Sequence, residues 1–520
     1  RDVAPSRGLG DVYKRQQKIY NVGEGMLFNS YSFFVFFPIV VVVYFLLPKR
    51  VSYLWLLTAS YYFYMGWNAK YALLLLLSTA ITYISGIVIQ WLNDNRPEKI
   101  EAKKWVVVGC IVANLAILFF FKYFNFTIES INAVLDHTSL PTVNTSLDVL
   151  LPVGISFYTF QALGYTVDVY RREIEAEKNF FRYALFVSFF PQLVAGPIER
   201  SKNLLNQLRN PKSYHYGRMC DGLLLMIWGY FLKLVIADRI AIFVDNVYAN
   251  VDIYDGRYLL LASVLFAFQI YCDFAGYSTI AIGAAEVMGF ELMENFNSPY
   301  LSQSVAEFWR RWHISLSSWF KDYLYIPLGG NRKGKIRKYI NIMIVFLVSG
   351  LWHGANWSYV VWGGLNGVYQ VIGAIFTPLR NKIKENLHLK KNCLPLMIVY
   401  MFVTFILVDF TWIFFRADTV QHAFDIIESI FHMNDPVLLA NGALYDLGLS
   451  KPNFIVLVIS LLLLLLADVC KYRGVKVRNV ILNLNIIIRW TIIIVGILGI
   501  LIFGIWGCGY SETNFIYFQF

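Results

Sequence analysis

Apolar residues recur along this chain in runs long enough to cross a membrane, and that feature constrains the fold more than any single motif. Stretches of about 18 or more apolar residues with few charges read as membrane spans. Apolar segments occupy 32–47, 52–66, 71–92, 105–121, 149–170, 183–197, 221–243, 258–286, 339–376, 394–415, 453–469 and 490–507. In hydrocarbon every backbone polar group must find a partner within the protein, which leaves helices or a closed barrel. Runs of this length select helices. The expected fold class is all-α: a polytopic transmembrane helical bundle of about 11–12 spans, in a single membrane domain over residues 26–520. Only 15% of the residues are charged and 58% are hydrophobic, far too little charge to cover a soluble domain. Aromatic residues, at 17%, suit interfacial belts and a bundle interior.

Loop charge orients the bundle. Loops rich in Lys and Arg are 49–50, 93–104, 171–182, 198–219, 300–338, 377–391 and 471–489. Loops with at most one such residue are 67–70, 122–148, 244–257, 417–452 and 508–520. The positive-inside rule assigns the first set to the cytoplasm and the second to the outer face. This makes the chain a multi-pass membrane protein, with 508–520 expected to be an outer tail. The net charge of +11 belongs to those inner loops and implies no nucleic-acid partner.

Two segments break the alternation. Segment 183–197 is short, has basic flanks and contains Pro and Gly, so it is expected to be re-entrant or interfacial. Segment 339–376 also has basic flanks but is about twice one span, so it is expected to enter and return. Its bend would fall near Ser349–Trp357. Residues 1–25 are polar and lack the charged-then-apolar order of a signal peptide. They read as a non-native extension, with the native start at Met26. The six cysteines are scattered without a CxxC pair, so neither a zinc site nor a disulfide framework is expected.

A histidine inside a membrane segment is a functional hypothesis by default. His353 is such a residue, between Trp352 and Gly354 in the long apolar stretch. His313 lies in a Trp- and Arg-rich stretch, Glu307–Phe320, which is expected to form an amphipathic helix in the headgroup plane. His137, His215, His388, His422 and His432 fall in loops and read as solvated. Two histidines suit acyl transfer. A neutral imidazole can take the proton of a hydroxyl attacking a thioester, while a second polar group orients the acceptor or steadies the oxyanion. No GxSxG elbow, Walker A or GxGxxG motif is present. The basic, Gly-rich run Pro327–Lys335 offers Arg332 and Lys333 to phosphates of a donor. Trp352 and Asn356, flanking His353, are further candidates for substrate contact. Lys233, Asp238 and Arg239 in one span and Asp273 in another are expected to form structural ion pairs.

Four blocks carry a wider resemblance: FFPQLVAGPIER (189–200), QIYCDFAGYSTIAIG (269–283), FWRRWHISLSSWFKDYLYIPLGGNRKG (308–334) and SGLWHGANWSYVVWGGLNG (349–367). Together they resemble the membrane-bound O-acyltransferase family, in its bacterial alginate O-acetylation branch. The resemblance implies a helical bundle with interfacial helices around a central tunnel. It implies His353 as the catalytic histidine and His313 as the supporting one. It also implies acetyl-CoA as the cytoplasmic donor, with no bound cofactor and no metal. The C-terminal Phe515-x-Tyr517-x-x-Phe520 resembles an FxYxxF motif whose Tyr is a candidate acyl relay to an outer partner of the SGNH type. A polysaccharide would be the final acceptor. Within the family the alternative is D-alanyl transfer from a carrier protein toward teichoic acid. A polymer-precursor transporter is the rival from another class.

Overall fold

The computed structural model describes residues 25–138, 140–147, 151–194, 196–386, 393–432, 442–506 and 516. Among them every regular element is helical. Eight helices are long and apolar enough to cross a membrane: Ala69–Asn95, Ile100–Leu135, Tyr216–Tyr248, Gly256–Val287, Trp357–Lys382, Leu394–Arg416, Lys451–Tyr472 and Ile486–Phe503. Three more of the expected segments form shorter or more polar helices, at Tyr31–Leu46, Ser52–Met65 and Ile155–Tyr170, and Gly334–His353 is the first limb of segment 339–376. The chain is thus an all-α polytopic membrane protein. The expected artefactual stretch 1–25 lies outside the described residues apart from Gly25.

Gly256–Val287 is the most enclosed span, and Ile486–Phe503 is on the rim with nearly all its side chains turned outward. The central span packs closely against Tyr216–Tyr230. A Cβ on Gly222 would sit 2.6 Å from the Gly283 carbonyl oxygen, and one on Gly229 would sit 2.6 Å from that of Gly276. Small residues on facing helices let the backbones approach, which is how membrane helices gain packing when lipid supplies no hydrophobic drive. The charged intrusions meet at this contact. Lys233 Nζ lies 2.9 Å from Asp238 and 2.6 Å from Asp273. Arg239 donates to the carbonyls of Val235 (2.5 Å) and Phe503 (2.7 Å). Lys233, Asp238 and Asp273 therefore form the expected ion pairs, as one cluster joining two spans, while Arg239 binds backbone carbonyls.

The expected re-entrant or interfacial segment 183–197 holds two short helices, Phe180–Ser188 and Phe190–Leu193, buried from Tyr183 onward. Nine residues of helix cover only about 14 Å, too short to span hydrocarbon. Segment 339–376 doubles back as expected. The Gly334–His353 helix stops, residues 354–356 make the bend, and the next helix starts at Trp357. The two limbs pack so closely that a Cβ on Gly350 would run into the carbonyl of Tyr359, and one on Gly363 into that of Phe346. These contacts run in opposite directions along the two limbs, so the hairpin is antiparallel.

The Trp-rich stretch differs from expectation. It is not one helix in the headgroup plane but two short helices, Val305–Arg311 and Ile314–Phe320, broken at Trp312 and His313. Phe308, Trp309 and Trp312 are buried inside the protein. Phe308 stacks on Tyr300, Trp309 meets Trp362 edge-on and Trp312 packs tilted against Trp412, and internal aromatic packing outcompetes the interface for these side chains.

Candidate active site

The two short helices exist to make a turn. His313 has φ 44° and ψ 55°, the left-handed region that bulky L-residues avoid. The turn is held from outside. Ile314 N–H donates to the Asn295 carbonyl (2.9 Å), and Ser315 N–H donates to Asn295 Oδ1 (3.2 Å). The Asn295 amide donates in turn to Ser278 Oγ on the central span (3.1 Å). Two residues further along, Asn297 N–H donates to the Arg311 carbonyl (2.9 Å). Strain of this kind persists where surrounding structure fixes it, and it concentrates at functional sites.

That anchor segment is itself tethered. Glu199, in block 189–200, accepts from Met293 N–H (2.5 Å) and from the Asn203 amide (2.8 Å). Burial pushes its carboxyl up to about 7, against the pull of the Met293 N–H and the Asn203 amide. Block 189–200 thus supports the His313 turn through residues 293–295.

The turn brings His313 to His353. His313 is 1% exposed and His353 is 5% exposed. Both imidazoles lie against the indole of Trp352, with centroids 6.0 Å and 4.8 Å away. Phe274 covers His313 at 4.6 Å. Trp362 and Phe415 meet His353 edge-on at 5.0 Å and 5.5 Å. A polar node sits behind this wall. Buried Asn366 accepts from Trp309 Nε1 (3.1 Å) and donates to the Trp362 carbonyl (2.9 Å) and to Thr411 Oγ1 (3.2 Å). It ties the His313 helices, the His353 hairpin and the Leu394–Arg416 span together.

The other expected site residues stand apart. Asn356 caps the returning limb by accepting from Ser358 N–H (3.0 Å), and it donates to the Asp418 carbonyl (2.6 Å). Arg332 and Lys333 are exposed at the start of the Gly334–His353 helix, so about 30 Å of helix separates them from His353. Tyr517 lies outside the described residues. Its neighbour Ile516 is buried, and Ile516 N–H donates to Asp273 Oδ2 at 2.7 Å. Among the described residues no cluster of His, Cys, Asp and Glu is arranged to hold a metal. Asn295 and Asn366 were not singled out from the sequence. The signal that could have pointed to them is a polar residue close to aromatic ones.

Two buried imidazoles thus meet in an aromatic wall within a multi-pass helical bundle. Residues 171–411 match the MBOAT, membrane-bound O-acyltransferase family. A "Probable alginate O-acetylase AlgI" of Azotobacter vinelandii is 39% identical over 412 residues, 79% of each chain. One of Pseudomonas putida is 36% identical over 506 residues, covering 95% of this chain and all of the relative. A "Peptidoglycan O-acetyltransferase" of Helicobacter pylori is 34% identical over 441 residues, 79% of this chain and 80% of the relative. This chain belongs to the membrane-bound O-acyltransferase family, and it is an O-acyltransferase.

Proposed function

We propose that the protein carries an acetyl group from cytoplasmic acetyl-CoA to the outer face of a bacterial cytoplasmic membrane, for O-acetylation of an extracellular polysaccharide. The convergence of His313 and His353 on Trp352 carries this reading. His353 is the general base. It takes the proton of an acceptor hydroxyl as that oxygen attacks the thioester carbonyl. The new C–O bond forms, the C–S bond breaks, and the imidazolium returns its proton to the departing CoA thiolate. His313 orients the acceptor or steadies the oxyanion. The aromatic wall keeps bulk water from the thioester.

Tyr517 is the acceptor of choice within the chain, passing the acetyl group to an outer partner of the SGNH type. The hydrogen bond from Ile516 to Asp273 supports it, because Asp273 adjoins Phe274, which covers His313. Names carried by relatives include acetylation of alginate and of peptidoglycan, and they favour acetyl over D-alanyl. The deciding experiment is acetyl-CoA turnover by the purified protein with its outer partner. Wild type releases CoA, and folded His353→Ala and Tyr517→Phe do not. Full transfer by Tyr517→Phe would remove the relay, and no turnover by wild type would remove acetyl-CoA as donor.

A further inference from the structure

The helix that carries His353 ends at His353 itself. The last carbonyls of an α-helix have no partner within the helix, and inside a membrane bundle they must find one elsewhere. Here the partners come from a span more than 200 residues away in sequence. Lys122 Nζ donates to the carbonyl of Trp352 (2.7 Å) and to that of His353 (3.0 Å). Tyr123 Oη donates to the carbonyl of Leu351 (2.8 Å). Two consecutive residues thus cap three consecutive carbonyls. A cation is favoured at this end of a helix by the helix dipole as well.

The local backbone explains how two neighbours reach the same target. Phe119–Tyr123 forms a π-helical turn inside the Ile100–Leu135 span, between α-helical limbs. Such turns insert one residue into the helix, re-aim its side chains, and occur often at functional sites. From sequence Lys122 reads as the single cation at the start of an outer loop, with no task. In the fold its long stem crosses to the catalytic hairpin.

We infer that Lys122 and Tyr123 are positioning residues, which fix the backbone of His353 and so aim its imidazole for proton transfer. This rests on His353 being the catalytic base. Neither residue need touch substrate. Displacing a reacting group by about 1 Å can lower a rate on the order of 100-fold, so the clamp acts on kcat and leaves donor affinity alone.

The test uses the full-length protein in lipid nanodiscs with its outer partner. The donor is acetyl-CoA or a D-alanyl carrier protein, whichever the wild type turns over. Lys122→Met keeps the stem and removes the donors, Lys122→Arg restores a cation, and Tyr123→Phe removes one hydroxyl. The expected result is a kcat reduced by at least tenfold in Lys122→Met, with KM within twofold of wild type. Lys122→Arg recovers part of that loss, and Tyr123→Phe shows a smaller loss of the same kind. Lys122→Met and Tyr123→Phe turning over at the wild-type rate beside an inactive His353→Ala would overturn the clamp and leave the base assignment standing. A matched rise in KM, or a Lys122→Met loss that Lys122→Arg does not relieve while Tyr123→Phe is normal, would also overturn it. Full activity in His353→Ala would remove both readings together.

Discussion

His313 shows how much a single residue can depend on distant partners. Its left-handed backbone is imposed by Asn295, which hydrogen-bonds to the next two residues and is itself held by Ser278. Asn tolerates that backbone region better than most residues, so His313→Asn isolates the loss of the imidazole. It is expected to fold normally and to lose acyl transfer on the order of 100- to 1,000-fold, the usual worth of one oxyanion-stabilising donor. His313→Val adds backbone strain of about 1–3 kcal/mol and is expected to lower the melting temperature as well. Equal activity in His313→Asn and wild type would show that the turn matters and the ring does not. His313 itself was legible in the sequence, as a histidine within a Trp- and Arg-rich stretch. Its conformation was not, since the groups that impose it come from residues 295 and 278.

At the level of elements, the spans were the most legible feature. Hydropathy and loop charge located them, and the unusual length of 339–376 foretold a hairpin. The pattern misled at Glu307–Phe320, where amphipathic character suggested a surface helix. Tryptophan suits both an interface and an aromatic core, and only tertiary contacts decide between them. Close helix contacts were also illegible, because a glycine in an apolar run looks alike whether or not it faces a partner. Gly229 and Gly109 make the contrast. A Cβ at Gly229 would meet the Gly276 carbonyl, whereas one at Gly109 meets nothing within 4 Å. Gly229→Val is expected to destabilise the protein by about 1–3 kcal/mol or more through overpacking. Gly109→Val should leave thermal stability in detergent nearly unchanged. Similar melting temperatures for the two would mean that the helices separate at little cost.

Across the whole molecule, the long axis of the Gly334–His353 helix sets the reach that a donor needs. Arg332 and Lys333 at one end and His353 at the other are separated by about 30 Å. A donor that used both ends would be elongated, with its phosphates on the basic turn and its thioester far inside. Reversing both charges, with Arg332→Glu and Lys333→Glu, is expected to raise the KM for acetyl-CoA several-fold and to leave kcat near wild type. An unchanged KM would place the phosphates elsewhere. The sequence offers the basic loop and the histidine but not the single helix that separates them.

The Lys233–Asp238–Asp273 cluster also bears on how the protein is made. Lys233 and Asp238 belong to one span, and Asp273 belongs to the next. A lone lysine or aspartate at the centre of a lipid-exposed helix opposes insertion by about 2.5–3.5 kcal/mol. During synthesis the first of these spans emerges from the ribosome before Asp273 exists. The translocation machinery therefore receives a helix with an internal ion pair that its neighbour completes later. The two spans are best released into lipid together, as one unit in biogenesis.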